Sequence, residues 1–323
     1  MSRLHRPLFT RFTGYHSLWL SHWAPLYIML FLGLSGAAFK AHASFDKGMR
    51  FYQQERYTYA LNSFLKAAKQ GDARAQLMAA RLYEDGRGGN YDSEQAYVWY
   101  QKAANQGLAE GQYLLGMYYI AQDNLPRHHT RAIKWIKLSA NQGLTEAEYQ
   151  LGLMYKKGLG TGNCLKRTET CFKNADAWLR KAAEKGYANA QYQLGLLAED
   201  GAGAHQNYSQ ALYWHTLAAN QNHPEASLAL AYLYYYGLGT EEDLGQASFW
   251  LQKAADAGIA VAQYNLAVLY MDYPRRNPNL AASLKWYKTA CENDYQKACD
   301  GFNKANKKYQ DQLERSLNTV ENG

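Results

Sequence analysis

The chain has 323 residues, 47% of them hydrophobic and 20% charged, and a formal net charge of +7. Its apolar content is enough to bury a long core. Residues 1–43 hold Arg3, Arg6, Arg11 and Lys40 with no acidic residue, so 31 basic and 28 acidic side chains remain beyond them. That net +3 is too balanced for a nucleic-acid-binding protein.

Residues 1–43 read as an export signal: three arginines, an apolar stretch from Leu26 to Phe39, then a small-x-small site at Ala41-His42-Ala43. Cleavage is expected after Ala43. An uncleaved anchor is the alternative, because Leu18 to Phe39 gives 22 mostly apolar residues, enough to span a bilayer. Next, 46–54 predicts a short helix and 57–69 a second helix without Trp, an incomplete unit over 44–71.

From 72 to 294 one pattern repeats. The phrase Ala-Ala-x-x-Gly and its variants end at Gly71, Gly107, Gly143, Gly186, Asn222, Gly258 and Asp294. Five of the six steps are 36 residues, and the step from 143 to 186 is 43. Such a period signals a solenoid of stacked supersecondary units, so one continuous array replaces the two domains that length alone suggests. Nine positions on stands a small residue: Ala80, Gly116, Gly152, Gly195, Ala231 or Ala267. Twenty-eight on is Trp99, Trp135, Trp214, Trp250 or Trp286, joined by Trp178 once seven inserted residues are subtracted. Residues 73–85 show helical spacing of Ala75, Leu77, Met78, Leu82 and Tyr83. Glycines then break the helix, and 93–105 predicts a second, antiparallel one. The small residue lets the two backbones approach, and the Trp fills the gap between units. The last segment, 295–323, starts as a first helix and turns polar, as the cap of an array must.

The phrases YQLGLMYKKGLG (149–160) and ASFWLQKAA (247–255) resemble the Sel-1-like repeat family, a relative of the tetratricopeptide repeats. The resemblance covers about 46–300. It implies an all-α fold: a right-handed α-solenoid of stacked antiparallel helix pairs, about six full repeats with partial capping units. It also implies first helices lining a concave surface, and partner-binding roles in exported bacterial proteins.

The four cysteines suit an oxidising compartment. Cys291 and Cys299, in ACENDYQKAC, are similar to the paired cysteines of cysteine-rich Sel-1-like proteins, which bridge one helix end to the next helix start. Cys164 and Cys171 bracket the insert. The pairs lie about three repeats apart, so pairing within each is expected, with buried free thiols as the alternative.

Catalytic signals are weak. Ser63-Phe64-Leu65-Lys66 matches the Ser-x-x-Lys spacing of penicillin-interacting enzymes, but no Ser-Asp-Asn or Lys-Thr-Gly partner exists. His128 and His129 are expected in a loop, solvated, and no metal site or cofactor is indicated. The binding candidates follow from the tetratricopeptide-like geometry, which turns five first-helix positions inward. They are Arg81, Tyr113, Tyr149, Lys156, Tyr192, Tyr232, Tyr235, Tyr236 and Tyr264. Tyrosine six positions after the Gly is near-consensus and carries packing as well. Tyr232, Tyr235 and Tyr236 exceed the consensus, and exposed aromatics in a groove suit a peptide or glycan. The 164–171 insert is a further candidate, as a lengthened loop. The expected function is a periplasmic or secreted scaffold that binds protein and catalyses nothing, touching membrane only if the leader stays. The alternatives are a cell-wall or glycan-binding module and, behind it, a β-lactam or peptidoglycan hydrolase.

Overall fold

The structure, a computed structural model, describes residues 40–122, 126–161, 168–202, 205–272 and 279–321. The leader up to residue 39, Cys164 and the rest of 162–167 lie outside the described residues. The described chain is all helix with no strand: α1 (40–53), α2 (Tyr57–Lys69), α3 (Ala73–Asp85), α4 (Ser93–Asn105), α5 (Ala109–Gln122), α6 (Pro126–Asn141), α7 (Thr145–Lys157), α8 (Glu169–Glu184), α9 (Ala188–Asp200), α10 (Tyr208–Ala219), α11 (Pro224–Tyr236), α12 (Leu244–Asp256), α13 (Ala260–Asp272), α14 (Leu280–Glu292) and α15 (Gln296–Glu321). Two compact units divide it, Met1–Ala103 and Ala104–Gly323. In the first, α2 packs on α3. In the second, α5/α6, α7/α8, α9/α10, α11/α12 and α13/α14 pair, and each pair packs on the next, the α-solenoid arrangement expected.

Turn chemistry explains the period. Gly71, Gly107, Gly143, Gly186 and Gly258 all stand at φ between 86° and 94°, and Asn222 and Asp294 occupy the same turn at 62°. Only Gly enters that left-handed region freely, and Asn and Asp are its usual substitutes. The glycines of Gly-x-Gly divide the labour. Gly86, Gly158, Gly201 and Gly237 are left-handed caps ending α3, α7, α9 and α11. The second glycine gives clearance: a Cβ on Gly239 would lie 2.5 Å from the Tyr208 carbonyl carbon, and one on Gly160 would strike the His129 carbonyl.

The small residue nine positions on has a defined partner. A Cβ on Gly116 would sit 2.4 Å from Ile136, on Gly152 2.6 Å from Leu179, and on Gly195 2.3 Å from the His215 ring. Each partner immediately follows a phased tryptophan, and all three are fully buried. The tryptophans themselves lie shallower than expected. Trp99, Trp214, Trp250 and Trp286 remain 6–8% exposed, and Trp135 and Trp178 are half-buried. Lysines lie over the rings of Trp99, Trp135, Trp178 and Trp286, with Lys102 Nζ 4.0 Å from the Trp99 ring and Lys181 Nζ 3.8 Å from Trp178, and Arg180 lies over Trp214.

A polar ladder runs beside this core. Gln76, Gln112, Gln191 and Gln263, each five positions after the turn, donate from Nε2 to the carbonyls of Ala68, Ala104, Ala183 and Ala255. Those carbonyls end the preceding second helix, where helical partners run out. Gln112, Gln191 and Gln263 also accept through Oε1 from Gln142, Gln221 and Asn293 at 2.8–2.9 Å.

Several expectations change. The first helix covers 40–53, not 46–54, and so runs through the expected cleavage site, with Ala41 buried. Arg74 holds that turn, sitting 4.4 Å over Phe45 and bonding His42. His128 and His129 belong to α6, not to a loop, because Pro126 opens the helix early; its ring presets the helical φ. His129 is buried. The insert does not wholly lengthen a loop: Glu169–Cys171 form the first turn of α8. Cys291 and Cys299 are disulfide-bonded, Cα atoms 4.9 Å apart, tying α14 to α15. Cys171 is also disulfide-bonded.

Candidate functional site

The candidate residues separate by burial. Position-six tyrosines pack against the next unit. Tyr149 lies 5.1 Å from Tyr187, Tyr192 4.8 Å from His223, and Tyr264 5.3 Å from Tyr295, ring centroid to centroid. In each case the partner is the first residue after the next turn. Burial, then neighbouring phenols and carboxylates, pushes the Tyr113, Tyr149 and Tyr192 hydroxyls above the ordinary value. These residues are half-buried and chiefly hold units together.

Tyr232, Tyr235 and Tyr236 are different. They occupy the last turns of α11 and are 39%, 41% and 63% exposed. The spacing of α11 explains it: Ala226, Ser227, Leu230, Ala231 and Leu233 face the core, which leaves 232, 235 and 236 on the outer stripe. Tyr235 meets Tyr236 edge-on at 4.9 Å, and the Tyr232 and Tyr236 rings lie nearly parallel at 6.4 Å. With Tyr264, Asn265 and Val268 of α13, and Leu251 beneath, they line a cleft of about 240 Å³. Asn265 Nδ2 donates to the Tyr232 hydroxyl at 2.7 Å, joining two successive first helices. Four of the nine candidates thus meet at one place.

The others stand apart from it. Lys156 is held by Gln193 Oε1 at 2.8 Å, a link between α7 and α9. Arg81 lies on α3 in the first unit. Ser63 donates its hydroxyl to the Tyr59 carbonyl within α2 at 2.9 Å. No group of three His, Cys, Asp or Glu suited to a metal ion occurs among the described residues. None of the described helices is long and apolar enough to cross a membrane.

Sequence reasoning passed over Asn265 and the ladder. The ladder was visible only as polar residues at a constant offset, to which burial gives meaning. Asn265 stands at an offset that also holds Met78, Leu114 and Ala229, so only its bond to Tyr232 marks it. His215 was also passed over. It is wholly buried and bonds Glu199 at 3.1 Å. Tyr100 and Tyr287 occupy its place in other units, and Tyr100 bonds Glu84 at 2.5 Å. Burial and then that bond drive the Tyr100 hydroxyl well above its ordinary value.

Comparison with known proteins agrees with this geometry. The Sel1 repeat model matches 73–108, 109–144, 188–223, 224–259 and 260–295, and matches the unit with the insert in two pieces, 145–164 and 177–187. The chain is similar to c5321, a protective antigen of uropathogenic Escherichia coli with an SLR fold. The identity is 28% and the TM-score 0.73, over 85% of this chain and 57% of that one. This chain therefore spans little more than half the length of that protein. It is similar also to a Sel1 repeat protein from Oxalobacter formigenes, at 28% identity and TM-score 0.65, over 76% of this chain and 96% of that one. No curated protein matches the sequence.

Proposed function

We propose that this chain, which belongs to the Sel1 repeat family, is an exported scaffold that binds another protein along its first helices and has no catalysis of its own. Proteins of this family serve generally as protein–protein interaction scaffolds. The single observation that carries the reading is the exposure of Tyr232, Tyr235 and Tyr236 around a cleft whose fourth tyrosine, Tyr264, is packed. Exposed aromatic rings beside an apolar floor make an anchor pocket of the kind that dominates protein interfaces. Export is supported by the composition of 1–43 and by the Cys291–Cys299 disulfide. In this reading 1–43 is the signal, 44–71 a cap, 72–294 the repeats and 295–323 the closing helix and tail.

The nearly parallel Tyr232 and Tyr236 rings support a second reading, a glycan laid across both faces. One pair of assays separates the two: pull-down from envelope extract, and sedimentation with purified peptidoglycan. The protein reading expects a captured protein that the Tyr232→Ala/Tyr235→Ala/Tyr236→Ala variant loses. A Tyr213→Ala/Phe249→Ala control, exposed rings on second helices, should keep it. Co-sedimentation lost in the same triple variant would replace the protein by a glycan. Equal capture by all three forms would overturn the site.

A further inference from the structure

A second candidate surface lies on the first unit, independent of the tyrosine cleft. Residues 47 and 51 of α1, and 56, 59, 63 and 66 along α2, line a groove of about 440 Å³ between the two helices. Its cations, Lys47, Arg56 and Lys66, are all exposed, and no acidic residue lines it. The nearest carboxylates in sequence are Asp46, which faces His42 at 3.5 Å, and Glu55, at the tight turn before α2. None of the three cations has an ion pair among the described residues, whereas Arg87, Lys173, Arg180 and Lys185 all do.

The middle cation is held in a binding posture. The Arg56 guanidinium lies 4.9 Å from the Phe51 ring centre and 4.5 Å from that of Tyr59. Contact with two rings holds the guanidinium in place while the side chain stays exposed, and a guanidinium fork so held can bond a carboxylate bidentately. It also occupies ring faces that a sugar would need. Arg56 stands at the N-cap of α2 and makes no side-chain cap, so the helix start adds positive potential.

We propose that this groove docks an acidic peptide segment of a partner, one carboxylate gripped by Arg56 and its neighbours by Lys47 and Lys66. Charge selects the occupant. The chain's own leader carries Arg3, Arg6 and Arg11 and no acid, so it is repelled. In a second copy the closing helix mixes Lys304, Lys307 and Lys308 with Asp311 and Glu314 and offers no acidic stripe. The exposed run Glu241-Glu242-Asp243 does, and self-association of the wild type that Arg56→Gln abolishes would replace the partner by a second copy. The groove volume far exceeds one inorganic anion and suits a few residues of extended chain.

The test is fluorescence anisotropy on the full chain at about 0.15 M salt, where exposed charges beyond a Debye length of ~8 Å are screened. The probe is a labelled octapeptide of alternating Glu and Gly, with its Gln–Gly counterpart as blank. Wild-type protein should bind the first and not the second. Arg56→Gln should weaken binding at least about tenfold, and Arg56→Lys nearly as much, because the fork is lost while the charge stays. Lys47→Gln/Lys66→Gln should weaken it, while Lys304→Gln/Lys307→Gln should change it less than about twofold. All variants should melt with wild type, since these side chains are exposed. The proposal is overturned if the acidic octapeptide fails to bind. It is overturned too if the two double variants lose equally, or if anionic vesicles or inorganic phosphate compete as well as unlabelled peptide.

Discussion

Lys185 donates from Nζ to both carboxylate oxygens of Glu148 at 2.8 Å, and to the Gly143 carbonyl at the same distance. Neighbouring units fill the same two places with Gln112 and Gln142, and with Gln191 and Gln221. The charged pair sits in the unit that carries the insert. Glu148 is almost wholly buried, and the Lys185 side chain is 40% exposed. Lys185→Ala should therefore cost about 2 kcal/mol, less than the roughly 3–5 kcal/mol of a fully buried pair, because water still reaches one partner. Glu148→Gln/Lys185→Gln should recover most of the loss by rebuilding the neutral rung. A double-mutant cycle on urea unfolding measures it.

Glycine variants separate strain from clash. A Cβ on Gly186 would meet nothing within 4 Å, and its φ is 87°. Gly186→Ala should cost only the left-handed penalty, about 1–2 kcal/mol. A Cβ on Gly239, at φ 72°, would also enter the Tyr208 backbone, so Gly239→Ala should cost more, with added overpacking of about 1–3 kcal/mol. Asn222→Gly and Asp294→Gly should be neutral or slightly stabilising. Thermal melts of the four variants test the ranking.

These turns show what was legible. Asn222 and Asp294 were readable as turn residues because the period put them where glycines stand elsewhere. Gly-x-Gly was readable as a break, but not its division into a cap and a clearance. The second role depends on Tyr208 and His129, about thirty residues back in the chain. Likewise, the tryptophan phase was visible, while the deeper place of His215 beside it was not. Its position varies among Tyr, Ile, Leu and His, and only the facing Gly195 marks it. The tyrosine cluster was found because it departs from the repeat. Lys47 and Arg56 escaped notice because they lie outside the period, and Lys66 because it stands where Lys102, Lys181 and Lys253 stand in later units; the three meet only when α1 folds against α2.

His223 should make stability depend on pH. Its Nδ1 caps α11 by accepting from the Ala226 N–H, and its Nε2 faces Asn189 Oδ1 at 3.0 Å, so the bonded form is the neutral tautomer. Burial lowers its pKa from the ordinary 6.5, against Glu225, which raises it, and with His215, which lowers it further. Above 6.5 both folded and unfolded imidazoles are neutral. As pH falls, the unfolded chain takes the proton first, so stability is lost from there down through the folded value. His223→Asn keeps a capping acceptor that does not titrate, and should flatten this slope in melts between about pH 5 and 7.

Trp214→Ala and the tyrosine variants should behave oppositely. The tryptophan is 7% exposed, and its loss should cost about 3–5 kcal/mol. Its effect should stay near α8 to α10, because each repeat leans only on its neighbours. Tyr235→Ala and Tyr236→Ala should leave the melt within about 0.5 kcal/mol. Hydrogen exchange along the chain, beside melts, decides whether the rings belong to surface or core.

Alkylation should find no reactive thiol in native protein from an oxidising compartment, and four after reduction. Cys291→Ser should loosen α15 from α14 while leaving α5 to α12 intact. Closing so short a loop contributes about 2–3 kcal/mol in the chain-entropy model.

The ladder pairs also bear on how such a chain can grow. Gln112 and Gln142 lie within 109–144, Glu148 and Lys185 within 145–187, Gln191 and Gln221 within 188–223, and Gln263 and Asn293 within 260–295. Both halves of each rung are thus encoded in one unit, although the rung closes between the start of one helix and the end of another. Unequal crossing-over that duplicates or deletes a whole unit carries both halves together. A buried glutamate never meets a glutamine left by its neighbour, and a lysine never loses its acid. In the unit 224–259 both halves have lapsed together, to Ser227 and Ala257. Copy number can therefore drift without orphaning a charge.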